Sequence, residues 1–112
     1  MFTHSYTGTF IADNQHNQKL EKELQDEMQE IADWAGYFEG IGGETFEKGI
    51  KRQIEALNTK HKGTSRRYEA YYIDKLKEAR IQVIEYKKEP NPNNDRLYIP
   101  HTIGDYTILR KT

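Results

Sequence analysis

Cysteine is absent from this chain. That absence excludes a disulfide scaffold, a thiolate nucleophile and any zinc site built on sulfur. Long apolar runs are missing too, since no stretch approaches the roughly 20 residues needed to span a bilayer. The opening MFTHSYTGTF has no basic region followed by an apolar run, the pattern of a secretory leader. A cytoplasmic protein with no membrane partner is expected. Histidine is sparse: His4, His16, His61 and His101 are scattered, and none lies three or four residues from another. Acid pairs at i, i+4 exist (Glu23/Glu27 and Asp26/Glu30), but they fall on a helix face full of acids and read as solvated surface. No metal site and no cofactor are expected.

What is present is polar and aromatic. Of 112 residues, 35% are hydrophobic and 31% charged, with a mean hydropathy of −1.01. The core is therefore lean, although a chain of this length folds as one domain without staples. Eight tyrosines, four phenylalanines and one tryptophan give it amphipathic rings, which are common where a surface binds something. The net charge of −1 hides an asymmetry. Residues 1–47 hold two lysines against ten acids, a balance of −8, and residues 48–112 hold fifteen Lys/Arg against eight acids, a balance of +7. Such halves attract each other within the fold or across a homo-oligomer, or they leave a basic face for an anionic ligand.

Along the chain, FTHSYTGTFI alternates and predicts a strand, with His4, Tyr6, Gly8 and Phe10 on one side and Ser5, Thr7, Thr9 and Ile11 on the other. Asp13 or Asn14 offers an N-cap. Leu20, Leu24, Met28, Ile31 and Ala35 recur at helical spacing, opposite an acidic face of Glu23, Asp26, Glu27, Glu30 and Asp33. This predicts an amphipathic helix from about residue 15 to Ala35, ended by Gly36, with GYFEGIGG as a loop. A second helix is predicted from Glu44 or Thr45 to about Thr59, facing inward with Phe46, Ile50, Ile54 and Leu57. A third is predicted from the Thr64/Ser65 cap to Ala79, burying Tyr72, Ile73, Leu76 and Ala79. The period then shortens, and IQVIEYKK, RLYIP and YTILRK read as strands separated by EPNPNND and HTIGD. The expected class is α+β: an antiparallel sheet of the N-terminal strand and a C-terminal three-stranded meander, covered on one face by two to three helices.

The chemistry-bearing motifs are few. GIGGETFEKG lacks the Gly-Lys-Ser/Thr of a phosphate loop, and Glu44 and Glu47 would repel phosphate while complementing the helix dipole. Ser5 and Ser65 lie in no nucleophile motif. The stretch 48–67, KGIKRQIEALNTKHKGTSRR, holds seven Lys/Arg against one acid. In it Arg66 and Arg67, placed on the first turn of a helix beside free N–H groups, would grip phosphate, helped by Lys62. Tyr68 and Tyr71 would flank that site for stacking. Asn93, Asn94 and Arg96, with Asn91 and Asp95, can read a base or ribose edge from the hairpin loop, and His101 sits at the next turn.

These residues point to a non-catalytic binder of a small phosphorylated ligand. A nucleotide or cyclic nucleotide signal fits best, and a homo-oligomer would bury it more readily than one small domain. A phage accessory protein that sequesters a host signalling molecule would have this character. A second reading is a protein–protein inhibitor or adaptor acting through the acidic first helix. The order strand, helices, three-stranded meander also resembles that of the RelE/ParE toxin family, a resemblance that implies metal-free RNA cleavage by Arg, Lys, Tyr and His. Plain nucleic-acid binding is disfavoured by the acidic half.

Overall fold

The computed structural model describes residues 4–11, 17–88 and 98–111. The element order is β1 (Ser5–Phe10), α1 (Gln18–Gly42), α2 (Phe46–Lys60), β2 (Arg66–Asp74), β3 (Glu78–Lys88) and β4 (Tyr98–Leu109). The four strands form one antiparallel sheet in the order β1-β4-β3-β2. Both helices pack on the same face of it. The α+β class expected above is the observed one, with the N-terminal strand and the C-terminal meander in a single sheet.

Alternation explains how the strands bury one face. Ala79, Ile81 and Val83 of β3 and Tyr106 and Ile108 of β4 are buried against Leu24, Met28, Ile31 and Ala35 of α1 and Phe46 and Ile50 of α2. Each fully buried aliphatic side chain of this kind stabilises the fold by about 1.5–3 kcal/mol relative to exposure. The helices approach closely where Gly49 faces Ala35: a Cβ on Gly49 would lie 3.5 Å from the Ala35 backbone. At Gly8 the sheet itself is tight. Its φ of +146° suits glycine, and a side chain there would collide with the Asp105 carbonyl of β4.

Three boundaries differ from the sequence expectation. First, α1 runs two turns past Gly36, which is buried inside it, and ends at Gly43 in the left-handed region (φ 66°). GYFEGIGG is therefore mostly helix: Trp34, Tyr37, Phe38 and Ile41 recur at helical spacing, and Trp34, Tyr37 and Phe38 pack on one another. Asn17 caps the start by accepting from the Leu20 N–H, whereas Asp13 and Asn14 lie outside the described residues.

Second, the segment expected to be a helix after Ser65 begins as a strand. Residues 66–74 form β2, with Arg66, Tyr68 and Ala70 toward the helices and Arg67 and Glu69 on the other face. The apparent helical stripe fails accordingly: Leu76 is 71% exposed in the β2–β3 turn and Tyr72 is exposed. Two periods fit this stretch, and pairing with β3 decides between them. Third, HTIGD does not turn. β4 passes through it as one strand, with a register shift opposite Val83/Ile84 that absorbs Ile103. The expected start of α2 is observed, with Thr45 as N-cap accepting from the Lys48 N–H.

β3 and β4 are longer than their neighbours. β1 pairs with β4 only as far as Gly104, and β2 pairs with β3 only as far as Glu85. Beyond those points β3 and β4 continue as a two-stranded ribbon, consistent with overall extents of 54 × 24 × 22 Å. No described helix is long and apolar enough to cross a membrane.

Candidate functional site

The residues expected to form one anion site separate onto different surfaces. Alternation along β2 turns Arg66 and Tyr68 under the sheet and leaves Arg67 outside. The first turn of a helix would have presented Arg66 and Arg67 together; a strand cannot.

Beneath the sheet, Arg66 joins a buried polar cluster. Its Nη1 donates to Glu23 Oε1 at 2.8 Å and to the Tyr68 hydroxyl at 3.3 Å, and lies 3.7 Å from Glu27 Oε1. Glu27 is only 3% exposed, which corrects its expected place on the solvated acidic face. It accepts from the Tyr68 hydroxyl on one oxygen and lies 2.8 Å from His61 Nε2 on the other. Burial pushes the Tyr68 phenol above its ordinary range, and its bond to Glu27 pushes it further. Burial works against the Arg66 charge, but its bonds to Glu23 and Tyr68 more than offset this, so its pKa stands above the ordinary value. The Glu23 carboxyl is held below its usual value chiefly by the hydrogen bond from Arg66.

The fold thereby gathers Glu23, Glu27 and His61 within 4.8 Å of one another, a donor set that could hold a metal ion. The Arg66 guanidinium already stands among those atoms, 3.5 Å from His61 Nε2. A protein cation thus fills the place that a metal ion would take, and the cluster reads as a tie between α1, the end of α2 and β2.

No described helix covers the opposite face of the sheet. Here Arg67, Tyr86 and Tyr98 border an open groove of about 670 Å³ with Gly63, Thr64 and Ser65. Gly63 (φ 91°) turns the chain between α2 and β2, and the Thr64 hydroxyl donates to the His61 carbonyl while accepting from the Arg66 N–H. These bonds fix the rim of the groove. Arg67 Nη1 donates to the Arg66 carbonyl at 2.9 Å, and its exposed guanidinium has no carboxylate partner among the described residues. Tyr86 is 39% exposed and Tyr98 60%. Both rings stand on the uncovered face of the β3–β4 ribbon, because Tyr86 pairs with Pro100 and Lys88 with Tyr98.

The chain matches no protein-family model, no curated protein and no solved structure. What the surface can do therefore rests on its own geometry.

The remaining expected residues lie elsewhere. Tyr71 is on the uncovered face, where its hydroxyl donates to Asp105 Oδ1 at 3.0 Å. Nearby Arg80 stands over the Tyr72 ring, 5.1 Å from its centroid. Lys62 lines a separate groove of about 470 Å³ between α2 and the β2 edge, together with Asn58 and Tyr68. His101 pairs with Glu85 across the ribbon, on the side that continues the buried Val83 row. Asn93, Asn94 and Arg96, with Asn91 and Asp95, lie outside the described residues. Sequence reasoning missed Tyr86 and Tyr98 as site residues. Tyr86 was findable, since Gln82, Ile84 and Tyr86 form the outward row of IQVIEYKK once Ile81 and Val83 are taken as core.

Proposed function

We propose that the protein is a non-catalytic binder of a small phosphorylated ligand, a nucleotide or cyclic nucleotide, held in the Arg67 groove on the uncovered face of the sheet. One observation carries this reading: an exposed guanidinium with no carboxylate partner among the described residues shares a single groove with two exposed tyrosine rings. Guanidinium forks hold phosphate in bidentate fashion, and tyrosine rings stack on bases. The volume falls within the range typical of small-molecule sites. Among its described lining residues the groove has no histidine, lysine or carboxylate. That composition supports holding an anionic ligand, since no described carboxylate in the lining would repel phosphate.

The test is calorimetric titration with ATP, GTP, cyclic AMP, cyclic GMP and inorganic phosphate. At least one nucleotide should bind more tightly than phosphate alone. Arg67→Ala should weaken it by about 10- to 100-fold, the worth of a charge-assisted hydrogen bond. Tyr86→Ala or Tyr98→Ala should cost about 1–3 kcal/mol of stacking. No binding of any nucleotide up to millimolar concentration would end this reading.

A second reading, a protein partner for α1, has its own observation. The exposed face of that helix joins Glu30, which has no partner among the described residues, to Asp33 and the exposed Trp34, Tyr37 and Ile41. A basic segment with apolar anchors would suit it. Loss of partner capture from Trp34→Ala, with none from Arg67→Ala, would select it over the groove.

A further inference from the structure

The two edges of the sheet are finished differently. Along β2 the outward-pointing main-chain groups are those of Arg66, Tyr68 and Ala70. Asn58 of α2 closes this edge like a short strand: its Oδ1 accepts from the Tyr68 N–H at 2.8 Å and its Nδ2 donates to the Tyr68 carbonyl at 2.9 Å. Thr64 takes the Arg66 N–H. Such cover is a common protection against edge-to-edge pairing.

Among the described residues β1 has no such cover. The Ile11 N–H donates to the Ile103 carbonyl at 2.9 Å, which sets the parity: odd-numbered residues of β1 bond to β4, and Tyr6, Gly8 and Phe10 direct their main-chain groups outward. Among the described residues nothing hydrogen-bonds to those groups. The strand SYTGTF also lacks charge and proline, the residues that usually blunt an exposed edge. Tyr6 and Phe10 are only partly buried against the core, and Ile11 is exposed.

We infer that the β1 edge docks a second copy of this chain, antiparallel about Gly8, to make one continuous eight-stranded sheet. The occupant follows from self-complementarity. Centring the two-fold axis on Gly8 places Gly8 opposite Gly8, and Tyr6 opposite Phe10, as hydrogen-bonded pairs. Every outward main-chain group of Tyr6, Gly8 and Phe10 is then used. The same register sets Tyr6 against Phe10 on the helix side, and Thr7 against Thr9 and Ser5 against Ile11 on the open side. Aromatic pairs and threonine pairs are among the favourable cross-strand neighbours. Shifting the register by one residue would oppose side chains of opposite faces and leave main-chain groups unpaired. The inference does not depend on the nucleotide reading. It does extend the uncovered face across both copies.

The experiment compares the native chain with two variants that share Thr9→Lys, which lies beside Asp105 in β4 and is acceptable there. In Thr7→Lys/Thr9→Lys, like charges meet at each Thr7–Thr9 pair. In Thr7→Glu/Thr9→Lys, opposite charges meet. Sedimentation equilibrium should give the native chain twice its 13.2 kDa mass. The double lysine should weaken association by about ten-fold or more, and the Glu/Lys variant should recover it. In the native protein the amide protons of Tyr6, Gly8 and Phe10 should exchange more slowly as concentration rises. A native chain that stays monomeric at a few hundred micromolar would overturn the inference. So would a dimer indifferent to the charge pattern, or one whose Tyr6, Gly8 and Phe10 amides stay unprotected; either result would assign association to another surface or another partner strand.

Discussion

Arg66 and Arg67 are adjacent in the chain and lie on opposite faces of the sheet. Arg66 closes a buried ion-paired cluster with Glu23 and Glu27, whereas Arg67 reaches into an open groove. Two residues that look interchangeable in sequence therefore have unrelated roles.

Single substitutions should separate them. Arg66→Ala leaves Glu27 buried with one cation fewer and should lower stability by about 1–3 kcal/mol, below the full cost of breaking a buried pair because Glu23 is partly exposed. Arg67→Ala should change stability by no more than about 0.5 kcal/mol. Urea melts of the two variants check this, and equal losses would contradict the assignment of faces.

Tyr68 should leave a signature at alkaline pH. Burial, followed by its hydrogen bond to Glu27, raises its phenol pKa on folding. A group whose pKa is raised stabilises the fold at pH below its unfolded value, about 10, and that contribution is lost as pH rises beyond it. Tyr68→Phe should therefore be less stable than the native chain at neutral pH by about 1–3 kcal/mol, through loss of a buried donor to Glu27. Its stability should also fall less steeply above about pH 10. Parallel pH profiles for the two proteins would rule out this coupling.

Asn58 should matter out of proportion to its size. Its amide satisfies both main-chain groups of Tyr68 on the β2 edge. Asn58→Ala should cost about 1–3 kcal/mol, since a part-buried N–H and C=O both lose their partner. It should also accelerate exchange of the Tyr68 amide proton. Asn58→Asp should retain only the accepting half of the clamp and fall between the two. A neutral Asn58→Ala would mean that water serves this edge equally well.

Sequence periodicity by itself determined the α+β class, the N-terminal strand with its correct two faces, and the second helix with its Thr45 cap. Each is a local matter: alternation in SYTGTF, the 46/50/54/57 stripe, and a hydroxyl placed to accept an N–H. Residues 64–79 could not be settled that way. Tyr72, Ile73, Leu76 and Ala79 satisfy a helical stripe while Arg66, Tyr68 and Ala70 satisfy a strand, and only hydrogen bonding to β3 selects the second. The same applies to HTIGD, whose Gly104 reads as a turn until β3 and β1 hold it from both sides. The candidate site was legible in composition, as arginines and tyrosines on the basic half. Its membership was not, because the two faces of a strand are assigned by what packs beneath it. Burial of Glu27 drew Arg66 and Tyr68 under the sheet, and with no described helix on the other face Arg67, Tyr86 and Tyr98 stand together in the open.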